Sequence, residues 1–276
     1  MTYFPTNTHH LIDAQGTAHE VAATTARIVS LVPSITELLV DLGLGKQLVG
    51  RTGFCIHPRE GVRKVPKVGG TKSIDLAKIR KIAPSHLIVN VDENPRDVVA
   101  ELAKFVPHVI VTHPKAPTGN FDLFRLMGGI FSREEEAETL CERFGAALAQ
   151  LEQAASTWPR QRVIYLIWKS PWMTVSRDTY ISRTLAAAGW DTFEARGEAR
   201  YPTIDLTPEQ LAEVDLVLFS TEPYSFSERH LVELMDTMPL DRRTRCALIN
   251  GEMTSWYGSR SIAGMTYLLS LRQRLL

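Results

Sequence analysis

SREEEAETLCERFGAALAQLEQAAST, residues 132–157, is the stretch on which the fold turns. Ser132 with Glu135 three residues later is the capping-box pattern of a helix start, and Leu140, Phe144, Leu148 and Leu151 form an apolar stripe at helical spacing. Pro159 closes the run. A helix from Ser132 to about Ser156 would be roughly 37 Å long at 1.5 Å per residue. That exceeds an ordinary crossover helix, and such a rod can bridge two lobes.

On both sides of it the sequence alternates strands and helices. Before it, Arg27–Val32 reads as a strand, Ser34 and Glu37 as a capping box opening a helix to about Leu42, and Leu48–Arg51 as a strand. Asp75–Ile82 follows as a helix, His86–Val91 as a strand, Pro95–Phe105 as a helix and His108–Thr112 as a strand. After it, Arg162–Trp168, Asp215–Phe219 and Cys246–Ile249 read as strands. Thr179–Ala188, the segment opened by Thr207-Pro208, Ser227–Met235 and Ser261–Leu275 read as helices. Repeated βα units mean parallel sheets. The expectation is an α/β protein of two Rossmann-like lobes, each with a mostly parallel central sheet, joined by one long backbone helix. The divisions are a flexible N-terminal arm (1–26), an N-terminal lobe (27–131), the linking helix (132–157) and a C-terminal lobe (158–276).

At 276 residues the chain buries roughly three quarters of its unfolded surface and needs no staple. Its 31 basic and 31 acidic residues cancel, which argues against a nucleic-acid groove. The Arg242-Arg243-Thr244-Arg245 cluster reads as a solvated turn. Cys55, Cys141 and Cys246 form no CxxC pair, so no zinc knuckle or thioredoxin motif is present. Met1–Ala26 lacks a basic n-region and an apolar h-region, and no run is long enough to cross a bilayer. As written the chain is expected in the cytoplasm, or in the periplasm if a leader has been removed. Nucleophile elbow, Walker A loop, HExxH helix and GxGxxG turn are all missing. No catalytic residue is assigned and the chain is read as a non-enzyme.

Ligands of parallel sheets sit outside the carboxyl ends of the strands, so the residues just after each strand are the binding candidates. Trp172, Tyr224, Phe226, Trp256 and Tyr257 stand in such loops, away from helical core spacing, and suit a flat apolar ligand. Trp168, at the end of an apolar strand, reads as core. Glu222, Glu252 and Arg260 either fix a ligand's polar rim or, for Glu252 with Arg260, pair with each other. In the first lobe Asp92 and Glu93 are rim groups or a solvated turn, and Lys72 beside Gly69-Gly70 can meet an anion. Cys55 and His57 allow an axial ligand to a chelated metal, or a buried thiol beside a rim histidine. Two donors fall short of a protein metal site.

The order and spacing of several segments carry a resemblance. They are Arg27–Leu44, Val49–Pro58, Pro66–Ile79 and Pro84–Asn94 in the first half, and Tyr165–Tyr180, Glu222–Phe226 and Gly251–Arg260 in the second. Together they resemble the helical-backbone (class III) solute-binding proteins of ABC importers, above all the vitamin B12-binding branch and the helical-backbone metal receptors. The resemblance implies a stiff backbone helix and a shallow interlobe cleft that closes little on binding. It implies a corrinoid, haem or ferric chelate as ligand, with no resident cofactor fixed by the sequence. Phe54 falls where that branch sets an aromatic against the corrin, whereas Thr71 and Val91 stand in place of its tryptophans. The family docks on a permease through one acid per lobe; Glu209 aligns with the second and Ala77 replaces the first. The expected partners are thus a small molecule and an ABC permease or other protein met through Glu209, with no nucleic acid and no membrane insertion. A leaderless cytosolic enzyme or a ligand sensor on the same fold is the alternative.

Overall fold

The computed structural model describes residues 11–195, 197–237 and 244–276. The chain divides into two compact units. Unit 1 holds the chain to Pro114, Thr118–Arg143 and the short return segment Tyr257–Ser259; unit 2 holds Lys115–Pro117, Phe144–Trp256 and Arg260–Leu276.

In unit 1 the elements run β1 (Ile28–Ser30), α1 (Pro33–Asp41), β2 (Leu48–Arg51), α2 (Arg59–Val62), α3 (Leu76–Ile82), β3 (His86–Asn90), α4 (Arg96–Ala103), β4 (His108–Thr112) and α5 (Gly119–Ile130). The strands form one parallel sheet in the order β2-β1-β3-β4. All five side chains of β3 are buried, as a strand covered on both faces requires. Val29, Leu31, Val68, Ile79, Leu87, Val89, Leu102, Val106 and Val111 form a core cluster of this unit.

The long helix α6 (Glu134–Ala155) begins in unit 1 and ends in unit 2. Its 22 residues span about 33 Å. The stripe of Leu140, Phe144, Leu148 and Leu151 is buried as its spacing demands. Unit 2 continues with β5 (Gln161–Leu166), α7 (Tyr180–Ala187), β6 (Trp190–Thr192), α8 (Pro208–Ala212), β7 (Leu216–Ser220), α9 (Glu228–Thr237), β8 (Arg245–Ile249), α10 (Gly251–Ser255) and α11 (Arg260–Arg274). Its sheet is again parallel, in the order β6-β5-β7-β8. Both sheets therefore wind alike, and the expectation of two parallel α/β lobes holds.

Several local readings change. α1 starts two residues early: Pro33 occupies its first turn and Val32, not Ser34, stands at the N-cap without a side-chain cap, so Ser34 makes no capping box. The Thr36 hydroxyl instead reaches Val32 O at 2.9 Å. α6, by contrast, starts one residue later than its cap pattern sets it, at Glu134, since Ser132 takes a positive φ of 53° in place of the extended backbone of an N-cap. At Thr207 the capping box is complete, with Gln210 as its reciprocal partner. Three short elements, α2, β6 and α10, and the longer α5 carry no such sequence signal. α5 contains Gly128-Gly129, which reads as a stop. The first glycine is there for closeness: a Cβ at Gly128 would lie 2.5 Å from Ala137 Cβ and 2.9 Å from Arg133 O.

The stretch read as a loose arm is tied to unit 1 from residue 11 onward. Ile12 bridges Ala18, Ala14 N donates to Val111 O at 2.9 Å, and Ala22 N to Ile130 O at 2.7 Å. The Asp13 carboxylate, buried, accepts from the amides of Gln15, Thr17 and Val111 at 2.9–3.0 Å and meets His19 Nε2 at 3.2 Å. A polar stretch can be ordered when one carboxylate gathers its amides. The segment also covers β4, an outer strand whose edge would otherwise be open. His9, His10, Arg242 and Arg243 lie outside the described residues.

Candidate ligand-binding site

The candidates are set by what each strand's carboxyl end presents. In unit 1, the turn after β2 exposes Phe54 (63%) and Ile56 (51%), and the end of β3 exposes Val91 (48%). A built Cβ at Gly70 meets the Phe54 ring at 3.4 Å, so the 69–73 turn stands beside it. Lys72 is exposed on that turn and His57 is half-buried on the Phe54 turn.

Cys55 leaves the ligand set. It is fully buried, with Thr36 Oγ1 at 3.0 Å and Thr52 Oγ1 at 3.1 Å from its sulfur. Burial raises its pKa, against the smaller effect of those hydroxyls. A thiol kept neutral and enclosed is a packing group, not a metal ligand.

Asn94 does more than the expected cap. Its Oδ1 accepts from Asn90 N at 2.9 Å, and its Nδ2 donates to Thr71 O at 3.0 Å and Leu31 O at 3.3 Å. One buried amide thereby staples the turns that follow β1, β3 and the 69–73 loop. Pro95 is the actual N-cap of α4.

The carboxylates beside these turns are engaged. Glu93 accepts from the Tyr257 hydroxyl and Asp92 lies 3.5 Å from His113 Nε2. Tyr257 is buried, and burial followed by the Glu93 charge raises its pKa well above the phenol range. It therefore stays protonated and donates. Tyr257 anchors the return segment of unit 1, whose Gly258 N also donates to Asn120 Oδ1 at 2.7 Å.

In unit 2 the aromatic set divides into two layers. Phe226 is buried in the core cluster, stacked on Trp172 (centroids 6.1 Å apart, planes at 10°) and packed on Tyr224 at 4.6 Å. Trp256 is buried, its Nε1 donating to Glu222 Oε2 at 2.9 Å. Trp172 and Tyr224 are half-buried, and Trp168 is 40% exposed, edge-on to Tyr224 at 5.4 Å. Phe226, Trp256 and, in unit 1, Tyr257 are thus supporting groups rather than contact groups. Trp168, read from sequence as core, is the exposed member. No period of two marks it, because Val163–Ile167 are all buried; Trp168 is exposed because it lies beyond the end of β5.

Glu252 and Arg260 take the structural alternative, 3.2 Å apart, with the guanidinium 5.0 Å from the centre of the Trp256 ring. Lys169 pairs with Glu233 at 2.5 Å and lies 5.6 Å from the Trp172 ring centre. Among the described residues, no group of three or more His, Cys, Asp or Glu side chains converges to hold a metal. No helix among them is long and apolar enough to cross a membrane.

Glu209 lies elsewhere in unit 2, in the first turn of α8. Backbone and Thr207 hydrogen bonds lower its pKa, so it stays ionised. It lines a cavity of about 570 Å³ with Arg162, Glu194, Asp205, Gln210 and Glu213. That lining is polar and acidic, unlike the aromatic strand ends.

The sequence matches the model of a family described as periplasmic binding protein over residues 28–237. The vitamin B12-binding protein of Photorhabdus laumondii is 22% identical over 203 residues, 74% of either chain. That of Vibrio campbellii is 21% identical over 240 residues, 87% of this chain and 86% of its own. Among solved structures, the periplasmic vitamin B12 binding protein BtuF of Vibrio cholerae superposes with a TM-score of 0.74 at 18% identity, covering 90% of this chain and 98% of that one. The periplasmic heme-binding protein RhuT from Roseiflexus sp. RS-1 gives 0.75 at 22%, with the same coverage. At such identities the superpositions show the fold.

Proposed function

Because this chain belongs to the periplasmic binding protein family, we propose that it is the solute-binding component of an ABC importer, carrying one corrinoid, haem or ferric chelate at the carboxyl ends of its strands. The observation that carries the reading is the two-layer aromatic arrangement. Phe54 in unit 1 and Trp168 in unit 2 each keep an exposed ring just beyond a strand end, and the buried Phe226 and Trp256 hold unit 2's loops in place, which supports a flat, apolar ligand. The engagement of the loop acids supports a carrier over an enzyme. Asp92, Glu93, Glu222 and Glu252 each hold a structural partner, His113, Tyr257, Trp256 and Arg260 respectively. A metal centre would arrive inside the chelate.

Cobalamin, cobinamide, haemin and ferric siderophores are the test panel. At least one is expected to change its absorbance spectrum on mixing and to raise the melting temperature; a hundredfold excess over Kd adds about 2.7 kcal/mol. Trp168→Ala and Phe54→Ala should each weaken that binding by about ten- to a hundredfold, the loss of one stacked ring. Both side chains are exposed, so the unliganded melting temperature should stay put. A panel without a single responding chelate removes this function.

The permease contact belongs to Glu209, an ionised acid in an acidic setting that complements a basic partner. Glu209→Ala is expected to cut capture of the permease from solubilised membranes at least tenfold, with chelate affinity unchanged. Equal capture by both proteins would free Glu209 from that role.

A further inference from the structure

Charge in this chain cancels only in total. Residues 59–81 hold eight basic side chains against two acidic ones, while the other 253 residues hold 23 basic against 29 acidic. All eight cations, Arg59, Arg63, Lys64, Lys67, Lys72, Lys78, Arg80 and Lys81, are exposed.

The segment is ordered, not a solvated tail. Val62, Val65, Val68 and Ile79 are buried, and Ile74, Leu76 and Ile82 pack on the unit 1 core. The backbone of Pro66–Val68 pairs along β2: Arg51 N donates to Pro66 O at 3.0 Å and Val68 N to Arg51 O at 2.8 Å. Arg51, itself buried, donates to Val62 O at 2.9 Å and holds the loop from beneath. α3 also packs against β2, the outer strand of the sheet. The cations therefore stand on a fixed frame along one edge of unit 1.

Little neutralises them. Asp75 accepts from Lys78 N as the N-cap of α3, and Glu60 lies 3.7 Å from Arg63. Arg80 rests over the Phe105 ring at 4.1 Å and keeps its charge. Among the described residues, Arg59, Lys64, Lys67, Lys78 and Lys81 have no carboxylate within ion-pair distance; Lys72, on the turn beside Phe54, is left to the chelate site. Five uncompensated charges sum to a local potential that attracts anionic surfaces within about a Debye length, roughly 8–10 Å.

The chemistry of the face selects among anionic partners. Within residues 59–81 the exposed apolar side chains are Pro66 and Ala77, and neither is large enough to anchor a buried hot spot of a protein partner. No aromatic residue lies within 59–81, and the one exposed ring beside the segment, Phe54 at the 69–73 turn, is a single face and not the row that successive single-stranded bases stack on. Flexible ammonium groups without anchors suit a diffuse anionic plane, to which each adds about tenfold or less in affinity. We propose that this edge of unit 1 holds the protein peripherally against a bilayer rich in anionic phospholipid headgroups, a contact independent of the chelate site.

The test is co-sedimentation of the full chain with phosphatidylcholine vesicles, with and without phosphatidylglycerol. Binding to the anionic vesicles alone, lost in molar salt, is the expected result. A K64E/K67E/K78E/K81E variant should bind at least about a hundredfold more weakly, and the matching four-glutamine variant should fall between it and wild type. The melting temperature reads whether either variant folds; the glutamine variant serves if the glutamate one does not. Trp168→Ala should sediment like wild type, which separates this surface from the chelate function. Equal sedimentation with neutral vesicles, none with either, or undiminished binding by the folded variants overturns the proposal. So does tighter capture by polyglutamate or duplex DNA than by the anionic vesicles.

Discussion

Between pH 7 and pH 4 the protein is expected to lose roughly 2–3 kcal/mol of stability through His86, at about 1.4 kcal/mol per unit of pKa depression. The ring is buried at the start of β3, stacked on His108 with centroids 4.7 Å apart and set edge-on to Phe131 at 5.3 Å. Ser85 Oγ sits 2.9 Å from its Nδ1. Burial, then the neighbouring charges of His108 and His19, lower its pKa from 6.5 to about 4. The unfolded chain takes a proton below 6.5 and the native ring does not. The stability is therefore whole above pH 6.5, falls as the pH drops, and its loss is complete near pH 4. Urea unfolding at a series of pH values should show this slope in wild type and a flatter one in His86→Phe, which keeps the stacked ring. Parallel slopes in the two proteins would contradict the assignment.

Asp13→Ala should cost about 4 kcal/mol, the range for stripping a buried charge from a bonded network. Three amides and His19 converge on that carboxylate. Alanine leaves the Val111 amide buried without its acceptor, and hydrogen exchange at Val111 and Ala14 should accelerate with the fall in melting temperature. Asp13→Asn keeps an acceptor oxygen and should lose less. A variant as stable as wild type, with both amides still protected, would mean the 11–19 turn stands by other contacts.

The sequence displayed its long helix because four apolar residues recur at helical spacing, and its central strands because parallel strands covered on both faces are continuous apolar runs. β6 escaped notice since three residues, Trp190-Asp191-Thr192, carry no period. α5 escaped because Gly128-Gly129 signals a stop where the structure needs a close approach to Ala137. That the candidate residues follow strands was legible from the alternation of strands and helices. Which of them face outward was not. Trp168 ends an apolar run yet is exposed, whereas Trp256 follows the mostly polar Gly251–Ser255 yet is buried, giving its indole N–H to Glu222, a partner 34 residues away. The edge of cations was hidden for another reason: a net charge of zero averages a positive segment with a negative remainder.

The return of Tyr257–Ser259 to unit 1 bears on how the protein is made. On the ribosome, everything unit 1 needs for its sheet emerges before any strand of unit 2. The groups that Glu93, Asn120 and Asp41 receive from Tyr257, Gly258 and Ser259 do not exist until all four strands of unit 2 have been made. A chain truncated before residue 257 would thus carry an early-folded half that waits for its last three residues, a natural point at which chaperones or proteases could act on it.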